Sequence, residues 1–209
     1  MKKIQFELTG KCPLKCEFCY NGSNLGIWGK IPFDKVLEKA GEGNLIFLGG
    51  GEPTIYPGIE RLISELIKKS NFVCISTSGF AYKELPENKN LLLQISVPTI
   101  HRALYKEITG RDNLETLLIN IQRYKKKHNV LINSVIYRKN EAELVPLAKY
   151  CHEQNIALVV SAAIKVRSIE TISHAELQRK CLPFILTGYN IRVPKKSWEG
   201  MEYYTPDKK

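Results

Sequence analysis

Short apolar runs alternate with amphipathic helical patterns along most of this chain, and the links between them are brief. Residues 4–8 read as a strand, 33–40 as a helix, 45–48 as a strand, and 58–69 as a helix with Ile59, Leu62, Ile63, Leu66 and Ile67 on one face. Residues 72–76 and 91–97 read as strands separated by an irregular piece reaching Leu85. A helix over 114–128 follows, with Asp112 or Asn113 as its cap. A strand over 130–137, a helix over 141–155 and a strand over 157–164 complete the series. Consecutive parallel strands need a crossover, so this order predicts a parallel sheet covered by helices. A closed eight-unit barrel takes about 250 residues, roughly 30 per unit. Residues 1–165 supply about six units, so the expected fold is α/β, a partial (β/α)6 TIM-type barrel open at one side. The pattern breaks after Lys165: residues 173–179 suit a helix, 182–193 are mixed, and 194–209 are polar and turn-rich. Residues 166–209 are therefore expected to form a short C-terminal extension packed on the open edge or the bottom of the barrel.

Two motifs follow the first two strands. Cys12-x3-Cys16-x2-Cys19 comes directly after the first, and Gly49-Gly50-Gly51-Glu52-Pro53 directly after the second. Both fall at the carboxyl ends of parallel strands, where barrel active sites are built, and would face each other across one mouth. Three thiolates on one tight loop can hold three corners of a cubane iron–sulfur cluster and leave the fourth iron open to a small molecule. Glycines let the backbone press against a ligand and offer its own N–H and C=O groups, and Glu52 offers a carboxylate to an ammonium group. The competing assignment is zinc, which wants four ligands; Cys74, Cys151, Cys181 or a histidine would supply the fourth. Cys74 and Cys151 lie among apolar neighbours and read as small core residues. Cys181 reads as a buried structural thiol, with hydrogen donation at a substrate side as the alternative. His101, His128, His152 and His174 have no mutual spacing that suggests a metal site.

On these residues the chain resembles the radical S-adenosylmethionine (SAM) enzymes. Their CxxxCxΦC signature is matched by Cys12, Cys16, Phe18 and Cys19, and their GGEP motif by Gly50, Gly51, Glu52 and Pro53. The likeness continues in Thr77-Ser78-Gly79, in Gln94-Ile95-Ser96-Val97, and in Ile108-Thr109-Gly110-Arg111-Asp112-Asn113-Leu114-Glu115, and covers roughly residues 4–164. The last of these looks like the segment that opens the fourth helix in members that modify peptides or make molybdopterin. The resemblance implies that Cys12, Cys16 and Cys19 ligate a 4Fe-4S cluster whose fourth iron is chelated by the amino and carboxylate groups of SAM. It places Phe18 and the Tyr20 backbone against the adenine, and Gly50, Gly51 and Glu52, followed by Pro53, at the methionine amino end. Ser76 or Ser78, with Ser96, would meet the carboxylate or ribose, and Asn133 would add a polar contact. It further implies an electron donor such as flavodoxin or ferredoxin, and reductive cleavage of SAM to a 5′-deoxyadenosyl radical that abstracts hydrogen from a substrate. The tail holds one cysteine, Cys181, so no cysteine-rich extension for auxiliary clusters is expected.

Composition narrows the setting. The clustering of three of the six cysteines at ligand spacing points to a reducing, cytoplasmic compartment and away from a secreted disulfide scaffold. Glu7 and Gly10-Lys11 interrupt the only apolar start that could resemble a secretion signal, and no stretch is apolar enough to cross a bilayer. A net charge of +10 favours encounter with an acidic partner or substrate, but the lysines are spread out, and the run Lys125-Lys126-Lys127 reads as the solvated end of a helix. The function expected first is hydrogen abstraction from a peptide, a protein or a modest-sized metabolite. Activation of a glycyl-radical enzyme is an alternative, on the likeness of Cys19-Tyr20-Asn21-Gly22 and Trp28 to small activases. Deazapurine-type nucleobase modification is a third, and a zinc-binding nucleic-acid module is the non-enzyme reading, without a helix-turn-helix or aromatic binding sheet to support it. Arg111, Arg138, Lys165 and Arg167 are candidate anchors for an anionic group.

Overall fold

The computed structural model describes residues 1–22, 29–166, 169–194 and 201–205. The elements run β1 (Lys3–Thr9), α1 (Phe33–Ala40), β2 (Leu45–Gly50), α2 (Ile59–Lys68), β3 (Phe72–Thr77), β4 (Leu91–Ser96), α3 (Arg102–Thr109), α4 (Leu114–Lys125), β5 (Asn129–Ile136), α5 (Leu144–Glu153), β6 (Ala157–Ala162), α6 (His174–Leu186), β7 (Ile191–Arg192) and β8 (Met201–Tyr204). All eight strands are parallel to their neighbours, in the order β7-β6-β5-β4-β3-β2-β1-β8. The sheet is unclosed, as expected of a partial barrel. Its six central strands are the six read from the sequence, in sequence order.

The two faces of this sheet differ in chemistry because side chains alternate along each strand. One face carries Ile4, Phe6, Leu8, Ile46, Leu48, Val73, Ile75, Leu91, Leu93, Ile95, Ile132, Leu158 and Val160, all buried in one cluster with Leu62, Ile63 and Leu66 of α2, Leu117 and Ile121 of α4, and Leu147 and Ala148 of α5. Each fully buried side chain of this kind stabilises the fold by about 1.5–3 kcal/mol, so the helix-facing side holds the molecule together. The registers put Gln5, Glu7, Ser76, Gln94, Ser96, Asn133 and Ser161 on the other face. That face is free to be polar because the core does not depend on it.

The structure departs from the sequence reading in four places. Strand β2 runs through Gly50, so the glycines begin inside the sheet. Helix α3 was not anticipated; Tyr105, Ile108 and Thr109 are its buried face, and Gly110 closes it in a left-handed conformation with its N–H on Lys106 O. The helix expected over 141–155 opens as a 3-10 turn, Arg138–Glu143, and α5 starts at Leu144, which places Pro146 in a first turn that needs no N–H there. The expected turn-rich tail contains β8, which pairs with the otherwise bare edge of β1 and stacks Tyr204 on Phe6 at 5.1 Å. Residues beyond 165 thus extend the same sheet at both edges, with β7 on β6 and β8 on β1. Among the described residues no helix is long and apolar enough to cross a membrane.

Leu93 faces the helices and Leu92 the opposite side of β4. Leu93→Ala should cost about 2–5 kcal/mol in denaturant unfolding, and Leu92→Ala on the order of 1 kcal/mol. Equal losses would contradict the division between the two faces.

Candidate functional site

The cysteine loop leaves β1 at an irregularity. Glu7 is opposite Gly49 and Thr9 is opposite Gly50, so β1 has one extra residue there, and such a bulge bends a strand out of its ladder. The neck of the loop is closed by Gly10 N–H to Gly29 O at 3.2 Å and Ile31 N–H to Leu8 O at 3.0 Å. Inside it, Cys19 N–H bonds Cys16 O and Gly22 N–H bonds Cys19 O, each at 3.0 Å.

The loop is then held from three sides. The glycine motif forms the first. Gly51 N–H donates to Thr9 O at 2.6 Å and Glu52 N–H to Lys11 O at 2.8 Å. A Cβ on Gly51 would overlap the Lys11 carbonyl, and one on Gly50, whose φ is +106°, would meet Thr9 O at 2.9 Å. Gly50 and Gly51 are therefore required by close approach to the protein's own backbone at residues 9–11. Gly49 has no such crowding; its nearest neighbour is Gln5 Nε2 at 3.9 Å.

The second support comes from α3. The last carbonyls of a helix have no partner within it, and here Ile108 O and Thr109 O accept from Glu17 N–H at 3.0 Å and Lys15 N–H at 2.9 Å. Arg111 Nε adds a bond to Pro13 O at 3.2 Å. The segment from Ile108 to Arg111, whose likeness had suggested a peptide substrate, thus braces the cysteine loop, a task indifferent to substrate. The third support is at the end of β5: the Tyr137 hydroxyl donates to Glu17 Oε1, and Lys139 Nζ lies 3.0 Å from Glu17 Oε2 and 2.8 Å from Glu107. Phe18 packs at a tilt on Tyr137, with ring centres 6.1 Å apart. Tyr20 turns its hydroxyl back to Glu7 Oε1 at 2.7 Å.

Glu52 is 2% exposed, and its carboxylate accepts five hydrogen bonds. Oε1 takes Thr54 N–H at 3.1 Å, the Thr54 hydroxyl at 2.7 Å and the Thr77 hydroxyl at 2.6 Å; Oε2 takes the Ser78 N–H at 2.8 Å and the Ser78 hydroxyl. A carboxylate offers about four lone-pair sites, so this one is filled by the protein and ties the turn after β2 to the end of β3. Pro53, itself buried, starts the 3-10 turn that Glu52 caps. Ser78 faces Glu52, whereas Ser76, Ser96 and Asn133 lie on the polar face of the sheet. Ser76 is opposite Gln94, with Gln94 Nε2 at 3.5 Å from its hydroxyl, and Ser96 is opposite Asn133.

The thiols of the loop act on one another. Burial pushes Cys12 up to about 11, helped by the charges of Glu52 and Cys19 and opposed by a bond from the Leu14 backbone. Burial pushes Cys16 up to about 12, with Cys19 and Cys12 adding to it. For Cys74, Cys151 and Cys181 burial is the whole cause; they sit in β3, α5 and α6, apart from the loop. The loop differs from those three in that its thiols bear on one another. Among the described residues no three His, Cys, Asp or Glu side chains converge to hold one metal ion. Three corners of a cubane need no such convergence, because each thiolate takes its own iron. The donor set fits an iron–sulfur cluster.

The remaining candidates resolve as follows. Arg138 is paired with Glu141, Glu170 and Glu176, Arg111 gives its Nε to Pro13 O, and Lys165 is exposed. Arg167 and Trp28 lie outside the described residues. Lys127 bridges Glu84 and Glu87 at the end of α4, and His128 beside it is buried. His101, read as a surface or structural residue, has Nδ1 2.7 Å from buried Glu143, which also accepts from Thr99. Sequence reasoning missed Glu17, Tyr137 and Lys139, and it met Gln94 only as part of a motif, at period two from Ser96.

Comparison with known proteins agrees with this geometry. Residues 6–151 match the Radical SAM superfamily. GTP 3′,8-cyclase of Clostridium perfringens is 29% identical over 171 residues, covering 74% of this chain and 53% of that protein. The crystal structure of Streptococcus suis SuiB bound to the precursor peptide SuiA superposes with a TM-score of 0.76 at 19% identity, over 90% of this chain and 48% of that one. The structure of TYW1 with a lysine–pyruvate adduct bound gives a TM-score of 0.65 at 16% identity, over 87% and 70%. The chain spans about half the length of the curated relatives it matches. With both motifs brought to one mouth and the match running through β1 to α5, the chain belongs to the radical SAM superfamily, enzymes that use a 4Fe-4S cluster and S-adenosylmethionine.

Proposed function

We propose that Cys12, Cys16 and Cys19 bind a single 4Fe-4S cluster, leave its fourth iron to SAM, and so equip this chain to abstract hydrogen from a substrate. The observation that carries the reading is the loop bearing Cys12, Cys16 and Cys19, which leaves β1 and is held by the glycine motif after β2, by the end of α3 and by the end of β5. When bound, the reduced cluster and SAM supply a hydrogen-abstracting radical.

The residues of the chain bind, orient and exclude water. Gly50, Gly51, Glu52 and Pro53 form the wall beside the loop, with Glu52 setting the position of Ser78 and Thr77. Ser76, Gln94, Ser96 and Asn133 would offer hydroxyl and amide groups to the ribose or carboxylate of SAM. Phe18 and the Tyr20 backbone would take the adenine side. The backbone carbonyls of the glycine motif, rather than the filled carboxylate of Glu52, would meet the ammonium group.

The substrate would enter along the unclosed side of the sheet and be a peptide, a protein or a modest-sized metabolite. Relatives of both kinds support that range, one named for GTP and one bound to its precursor peptide. A net charge of +10 favours an anionic substrate and an acidic electron-donating protein of the flavodoxin or ferredoxin type.

Anaerobic reconstitution followed by iron and sulfide analysis and EPR of the reduced protein tests the site. The wild type should show a cluster signal that shifts on SAM addition, and Cys16→Ala should lose it. Zinc in place of iron, or a cluster indifferent to SAM, would overturn the assignment. Gly51→Ala should keep the circular dichroism of the folded sheet while losing most of its iron, since the new methyl group displaces Lys11 and with it the loop. Full iron loading of that variant would show that the backbone contact is dispensable. Incubation of the reduced enzyme and SAM with a panel of peptides and nucleotides, scored by substrate-dependent 5′-deoxyadenosine, separates the substrate classes.

A further inference from the structure

The surface over the cysteine loop is basic. Lys11 and Lys15 are exposed, and each directly precedes a half-buried thiol of the loop, Cys12 and Cys16. Lys106 of α3 and Arg111, just beyond that helix, are exposed as well. The two pairs lie on either side of one seam. Lys15 N–H bonds Thr109 O at 2.9 Å, Arg111 Nε bonds Pro13 O at 3.2 Å, and a Cβ on Gly110 would lie 3.5 Å from Lys15 Cβ. Lys106 O takes the Gly110 N–H at 2.9 Å, so this residue also belongs to the turn against which the loop rests.

The acids beside this seam are engaged with other bases. Glu17 is held by Lys139 and the Tyr137 hydroxyl, Glu107 by Lys139 at 2.8 Å, and Asp112 by Arg102 at 2.8 Å. Among the described residues no carboxylate pairs with Lys11, Lys15, Lys106 or Arg111. Elsewhere crowded cations are answered: Lys127 bridges Glu84 and Glu87, and Arg138 meets Glu141, Glu170 and Glu176. Uncompensated positive charge thus stands one residue along the chain from two of the proposed cluster ligands.

We infer that the seam bearing Lys11, Lys15, Lys106 and Arg111 is the docking surface for an acidic electron-carrying protein that reduces the cluster. The inference rests on the cluster assignment above. The carrier gives up one electron and the cluster gains it; no bond forms or breaks and no proton has to move. Place and charge together identify the partner. Electron transfer weakens steeply with separation, so the carrier has to seat beside the loop. An anionic substrate has to reach the polar face of the sheet instead, and none of these four residues is on a strand. Complementary charge mainly speeds and orients encounter, which suits a partner that must leave after each electron.

The test mixes reduced flavodoxin with the reconstituted, oxidised enzyme in a stopped-flow instrument and follows bleaching of the cluster at low and at high salt. Wild type is compared with Lys15→Glu/Lys106→Glu and with Lys126→Glu/Lys149→Glu, which makes the same change in net charge at exposed positions at the end of α4 and on α5. Equal iron in all three, a low-salt rate about tenfold lower in the first variant alone, and a difference that closes at high salt are expected. An undiminished rate in the first variant, or equal slowing in both, would overturn the docking surface while dithionite-reducible cluster in all three leaves the site assignment standing. Weaker binding of GTP by the first variant, with its reduction rate unchanged, would give the patch to an anionic ligand and overturn the proposal equally. If Lys15→Glu/Lys106→Glu takes up no cluster, zero-length carbodiimide coupling of the wild-type enzyme to flavodoxin decides: links from Lys11, Lys15 or Lys106 sustain the proposal, and links confined to other lysines overturn it. If the wild type takes up no cluster, the assignment of the site falls, and the inference with it.

Discussion

Backbone lying directly on backbone is the constraint from which this site is built. Residues 9–11 and residues 50–52 approach so closely that Gly51 has no room for a methyl group, and two hydrogen bonds, at 2.6 and 2.8 Å, join them. A side chain at that position would push the strand end and the turn apart. The bulge in β1 and the bonds that close the neck at Gly10 and Ile31 lie beside this contact. Glycine supplies it because it alone has nothing to remove.

The same economy runs through the electrostatics. One carboxylate, Glu52, ties down two turns by accepting five bonds, and a second, Glu17, anchors the cysteine loop to Tyr137 and Lys139. Buried charge is tolerated when every lone pair is filled, and Glu52 meets that condition. The sheet divides in a similar way: apolar side chains toward the helices provide cohesion, and polar ones take the other face.

How much of this was legible in the sequence follows from the range of each interaction. The six central strands could be read because period-two and 3.6-residue patterns are local, and the motif glycines and cysteines could be read because their spacing is local too. Helix α3 escaped because eight residues give it little more than two turns, and Gly110 read as the approach to α4 when it is the end of α3. Strand β8 escaped because its partner, β1, is at the far end of the chain. Tyr137, Lys139 and Glu17 carried no signal at all: they are separated by about 120 residues and meet only when β1 and β5 are in one sheet. For Glu52 the sequence offered a carboxylate, but it could not show that Thr54, Thr77 and Ser78 would fill it.

The three cysteines are neighbours in sequence, yet what fixes them comes from residues 50–52, 108–111 and 137–139. Those segments are placed by β2 and β5 in the sheet and by α3 beside α4. The chain therefore has to be substantially folded before its thiols are arranged, and a cluster would meet them already placed. A small zinc-nucleated domain works in the opposite order, with the ion gathering the chain. Here an assembly factor or a free iron and sulfide supply would meet a finished socket, and loss of the metal to oxygen would empty that socket without dismantling the sheet that forms it.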